Sequence, residues 1–165
     1  MGLKDGLIEE LKYDSSLTLK LLEQLPDEHF SWKPHEKSSS LGNLASHMAN
    51  LLYWIPLIVQ RDSADIADNH PELRKVYTGK KEMIEAYRNS LGVALKALEE
   101  AEEASLSDFW TFMKNGTGMF TIKRKVAIRN VVYNHTVHHR GQLTVYLRLL
   151  NVPVPGLYGP SADEK

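Results

Sequence analysis

The stretch Ile128–Leu149, IRNVVYNHTVHHRGQLTVYLRL, decides the fold. Positions 128, 132, 135, 139, 142, 146 and 149 step by alternating fours and threes. That is the seam a helix presents to its neighbours in a bundle. Ile128, Val132, Tyr146 and Leu149 suit such a seam, but His135, His139 and Gln142 hold its central places. Residues at i and i+4 project from one helix face, so two imidazoles there can share a metal ion. Burying them without partners is unfavourable. An ion satisfies both rings at once, yet hydrogen bonds to carbonyls or carboxylates would also do so, and the pair alone leaves both readings open. His138 points about 100° away around the helix and reads as a surface group or an outer partner of the ligands.

Three further stretches carry helical period. The first runs through Leu3, Leu7, Leu11, Thr18, Leu22 and Leu25 and stops before Pro26. The second opens after Ser38-Ser39-Ser40, any of which can cap it, and runs through Leu44, Met48, Leu51, Ile55 and Ile58. The third runs through Ile84, Tyr87, Leu91, Ala94, Leu98 and Ala101. The expected fold is therefore all-α: a four-helix bundle forming one domain over 1–165, with an irregular tail over 151–165. A long polar crossover, 61–77, joins helices 2 and 3. Residues 109–121 place Asn115-Gly116 between aromatic flanks, a hairpin signal, so a short hairpin should precede helix 4. Gly141, inside helix 4, sacrifices about 1 kcal/mol of helix propensity against alanine, which close approach of another helix or subunit would explain.

The totals narrow the function classes. Of 165 residues, 42% are apolar and 25% charged, a globular balance. Twenty basic and 21 acidic side chains leave a net charge of −1, so no nucleic-acid partner is expected. The basic turn Lys123, Arg124, Lys125 is the local exception and reads as solvated. The chain has no cysteine, which removes disulfides, thiolate ligands and a cysteine nucleophile. No apolar run approaches the ~20 residues needed to span a bilayer, and the start lacks a signal-peptide core. A cytoplasmic protein without a membrane partner is expected.

Helix 2 offers a third imidazole, His47, in a row with Asn43, Asn50 and Trp54. Spacing alone makes His47 a core-edge polar group as readily as a ligand. His29, His35 and His70 fall in loops and read as surface residues.

Two blocks carry a family resemblance. WKPHEKSSSLGNLASHMANLLYWI, from Trp32, holds a Trp-Lys-Pro loop, a serine-rich helix start and His47. NHTVHHRGQLTVYLRLLNVPVPGLYGPSADE, from Asn134, holds a histidine before His-His-Arg-Gly-Gln and a proline-rich tail. Together they resemble the DinB family of damage-inducible helical bundles. The resemblance implies a homodimeric bundle with a metal held by His47, His135 and His139, and nickel, zinc or iron as the ion. Around it, Asn43, Asn50, Trp54, His138, Gln142 and Tyr146 are expected to shape a pocket for a small-molecule substrate.

Three ligands leave a coordination position open, the mark of catalytic rather than structural sites. The resemblance implies activation of a low-molecular-weight thiol for S-transfer to an electrophile. The alternatives are metal-dependent hydrolysis, with hydroxide as nucleophile, and a non-enzymatic metal-binding bundle of the stress response. A hydrolase needs a general base, for which Asp14 is the best helical candidate. No side chain is assigned a direct catalytic role.

Overall fold

The computed structural model describes residues 2–164. Its long helices are α1 (Leu3–Leu22), α2 (Leu41–Asn50), α5 (Lys80–Glu100) and α7 (Asn134–Leu149). α2 passes through a 3₁₀ turn, Leu51–Tyr53, into α3 (Trp54–Gln60), and the short helices α4 (Pro71–Arg74) and α6 (Arg124–Ala127) lie in the connections. No described helix is long and apolar enough to cross a membrane.

The expectation of an all-α four-helix bundle is corrected: the fold is mixed, with additional helices and a three-stranded sheet. The hairpin before helix 4 is built of β2 (Phe109–Lys114) and β3 (Thr117–Lys123), joined antiparallel. Asn115 and Gly116 both take positive φ, 51° and 75°, the conformation a two-residue turn between twisted strands demands. The crossover then adds a third strand, β1 (Ser63–Asp65), parallel to β2, so the sheet is mixed with order β1-β2-β3. The Asp65 carboxylate explains why this polar segment becomes a strand. Its oxygens accept from the backbone N–H of Ala67 (2.8 Å), Asn115 (3.0 Å) and Gly116 (2.6 Å), tying the crossover to the hairpin turn. These bonds hold its carboxyl below the usual range. Trp110, fully buried on β2, packs against Trp54 and Phe112 and fixes the sheet to the helical core.

The basic turn is not wholly solvated. Arg124 is buried, and its guanidinium donates to the carbonyls of Ile58 and Arg61 at the end of α3 and to Asp62 Oδ1 at 2.7 Å. His70 is buried as well, beside Trp54. Gly141 is exposed, and among the described residues nothing beyond its own stretch of helix lies within 4 Å of where its Cβ would stand; no packing among them explains it.

Between α6 and α7 the helix widens into a π segment, Ile128–Tyr133. A π segment inserts an extra residue and rotates the face that follows. Ile128, Val132 and Tyr133 are buried within it. After it the buried residues of α7 are Thr136, Arg140, Leu143, Tyr146 and Leu147, while Leu149 is exposed. The row His135, His139, Gln142 is thereby displaced from the core to its half-buried edge.

Candidate metal centre

α2 and α7 pack side by side, and their facing edges carry the three histidines. The start of α2 is fixed twice. Ser40 caps it, its hydroxyl accepting from the Asn43 N–H at 3.2 Å. The 26–39 loop supplies carbonyls of Trp32 and Phe30 to the N–H groups of Leu41 and Gly42, each at 2.9 Å. A Cβ on Gly42 would stand 3.0 Å from the Phe30 ring, so glycine permits that approach. The π segment that leads into α7 is set against α1 by the Tyr133 hydroxyl, which donates to the Leu7 carbonyl at 2.7 Å.

With both helices fixed, the imidazoles converge. His135 Nε2 lies 3.4 Å from His47 Nε2 and 2.7 Å from His139 Nε2. One ligand atom from each ring falls within 4.8 Å of the others. The outer nitrogens face acceptors. His139 Nδ1 donates to Gln142 Oε1 at 2.7 Å, and His135 Nδ1 to the Val131 carbonyl at 3.3 Å. A carbonyl oxygen only accepts, so these partners place the proton on Nδ1 and leave the Nε2 lone pair facing inward. Such lone pairs repel one another unless something electropositive sits between them. The donor set suits an imidazole-seeking divalent ion.

The electrostatics agree. Burial, followed by the neighbouring His139 and His135, pulls the His47 pKa from 6.5 to about 4. Burial also lowers those of His135 and His139. All three rings are neutral donors at neutral pH. A depressed histidine pKa means that the unfolded chain takes up a proton the folded chain refuses. The urea midpoint of the metal-free protein is expected to stay level above pH 6.5 and to fall as pH drops from 6.5 towards 4. His47→Gln should flatten part of that fall; an unchanged pH profile would contradict the neutral cluster.

The remaining sequence-derived site residues separate into those near the cluster and those elsewhere. Gln142 touches His139, and the exposed His138 ring stands 5.0 Å from that of His139. Asn43 and Asn50 line a cleft of about 300 Å³ that also reaches His47. Asn50 is engaged structurally, donating to the Lys75 carbonyl at 2.7 Å and accepting from the Tyr77 hydroxyl at 2.9 Å. Trp54 packs among Trp110, Phe112 and His70. Tyr146 meets Trp32 edge-on and donates to the Ser39 carbonyl at 3.1 Å, holding the 26–39 loop.

Asp14 is committed elsewhere. Its Oδ1 accepts from Arg140 Nη2 at 2.9 Å, and the Tyr158 hydroxyl bonds to both partners. Sequence reasoning missed this pairing; Arg140 was readable only once the π segment had moved it onto the row of Thr136 and Leu143.

Comparison with known proteins follows the same outline. The family model described as DinB family matches residues 3–165. The uncharacterized protein YrdA of Bacillus subtilis is 26% identical over 166 residues, covering 97% of this chain and 90% of that protein. YjoA of the same organism is 25% identical over 141 residues, 81% of each. Its crystal structure superposes with a TM-score of 0.71 at 18% identity, covering 94% of this chain and 99% of that one. A DinB-like protein from Bacillus cereus gives a TM-score of 0.70 at 24% identity, covering 93% and 97%. At these identities the two superpositions speak for the fold alone.

Proposed function

The chain belongs to the DinB family, and from that membership we propose that it is a divalent-metal protein with His47, His135 and His139 as ligands, activating a low-molecular-weight thiol for S-transfer to an electrophile. The observation that carries the reading is the inward convergence of three neutral imidazoles, two of them oriented through Nδ1. When bound, a nickel, zinc or iron ion would supply Lewis acidity at a free coordination position and favour the thiolate form of a thiol there.

The chain's own part is orientation. Val131 and Gln142 fix the tautomers of His135 and His139, while the half-buried setting keeps the rings uncharged. In the net reaction the thiol sulfur bonds to the electrophile, the leaving group departs with its electron pair, and the thiol proton passes to solvent. Thiol activation is favoured over hydrolysis by two features. Among the described residues no carboxylate joins the ligand cluster, and Asp14 is held by Arg140.

Titrating the cobalt-loaded protein with mercaptoethanol tests the reading. A sulfur-to-metal charge-transfer band is expected, together with mercaptoethanol transfer to monochlorobimane that depends on the bound metal. Ester turnover without thiol, and no thiol-induced band, would favour hydrolysis instead. The outer partners have a separate expected effect. Gln142→Leu removes the acceptor for His139 Nδ1 and should weaken metal affinity about 10–100-fold, read by competition against a chromophoric chelator.

A further inference from the structure

The cleft beside His47 has a chemical character of its own. One wall is the α2 face carrying Asn43, Ser46, His47 and Asn50; the other is Leu73–Val76, at the end of α4 and just beyond. The walls are pinned together. Ser46 Oγ accepts from the Tyr77 N–H at 3.0 Å, and Asn50 bonds to both the Lys75 carbonyl and the Tyr77 hydroxyl. A cleft fixed in this way needs little rearrangement to receive a ligand.

Its charges are unequal. Lys75 is paired with Glu82 at 3.1 Å and lies over the Tyr77 ring. Glu72 and Glu82 border the neighbouring cleft with Tyr53 and Glu85. Arg74 donates one Nη2 bond to the Ile66 carbonyl at 2.6 Å but has no carboxylate in ion-pair range among the described residues. Arg74, whose charge has no carboxylate partner among the described residues, thus lines the same cleft as a histidine of the cluster, beside the apolar Leu73 and Val76. Guanidinium groups favour carboxylates through paired, charge-assisted hydrogen bonds.

We propose that this cleft admits the thiol substrate and that Arg74 selects one bearing a carboxylate, its sulfur directed to the histidine cluster. The inference rests on the thiol reading above and names the substrate's second functional group. Arg74 is a specificity residue and takes no part in bond making.

The test is titration of the cobalt-loaded protein with mercaptoacetate, mercaptoethanol and cysteamine, which are anionic, neutral and cationic, in wild type, Arg74→Gln and Arg74→Lys. Half-saturation by mercaptoacetate, relative to mercaptoethanol, is expected to rise about fivefold in Arg74→Gln, the size of a partly exposed ion pair. Cysteamine should shift the opposite way, cobalt content should stay unchanged, and Arg74→Lys should recover part of the preference. If all three thiols perturb the spectrum and their ratios do not change in Arg74→Gln, the role of Arg74 is overturned while the thiol reading stands. If no thiol perturbs the wild-type spectrum, the thiol reading itself fails and takes this inference with it.

Discussion

His135→Ala is expected to abolish stoichiometric metal binding, lowering affinity by more than the about 100-fold that loss of an outer partner can cause. His135 is the most telling position because its Nε2 is close to both other rings, 3.4 Å from that of His47 and 2.7 Å from that of His139. Removing it leaves only two imidazoles, His47 and His139, one on each helix with ring centroids 4.8 Å apart. The half-buried ring contributes little packing, and its depressed pKa opposes folding in acid. The metal-free variant should therefore unfold at a urea concentration no lower than wild type, and at a higher one below pH 6. This dissociation of affinity from stability separates a ligand from a core polar group. If His135→Ala kept its metal, or lost it only by failing to fold, the histidine would be a structural residue.

Arg140→Ala should have the opposite profile: large on stability, small on metal affinity. The guanidinium is almost wholly buried and donates to Asp14 Oδ1, the Asp14 carbonyl (2.7 Å) and Thr18 Oγ1 (3.2 Å), joining α7 to α1. Truncation leaves a part-buried carboxylate without its counter-charge, a change that typically destabilises by about 3–5 kcal/mol. It also removes one of the two hydrogen-bond partners of the Tyr158 hydroxyl, leaving Asp14 Oδ1 as the other. A two-helix tie of this kind can be replaced as well as broken. The double change Arg140→Met with Asp14→Leu should recover much of the lost stability, because a well-packed apolar pair avoids desolvating two charges. Urea unfolding of the two variants reads both effects; a loss below about 1 kcal/mol for Arg140→Ala would show the pair to be dispensable.

Long-period features of the fold were legible in the sequence, and exceptions to the period were not. Repeats of leucine and isoleucine marked the long helices because burial imposes their spacing. Asn115-Gly116 marked the hairpin because few residues accept positive φ. Strand β1 was invisible in SAD, a polar triplet that extends because Asp65 captures the N–H of nearby Ala67 and those of Asn115 and Gly116 in the distant hairpin turn. The π segment was equally hidden. Reading Ile128 to Leu149 as one regular helix put His135, His139 and Gln142 on the same seam as Leu149, and left Arg140 off it. The true geometry moves the arginine inward and the histidines to an edge where they meet α2. His47 could be proposed only through the family resemblance, since no spacing rule links residues 88 apart in sequence. Trp54 and Tyr146 were placed near the histidines by helical phase, but aromatic packing takes Trp54 to the sheet and Tyr146 to Trp32.

The central claim is one ion held by three imidazoles, and X-ray absorption spectroscopy of the zinc-loaded protein tests it most directly. The predicted spectrum shows three imidazole nitrogens at about 2.0–2.1 Å, at about one zinc per chain, with a further light-atom donor that mercaptoethanol replaces by sulfur at about 2.3 Å. A shell fitted by fewer than three imidazoles, or a protein that takes up no zinc when loaded, would contradict it.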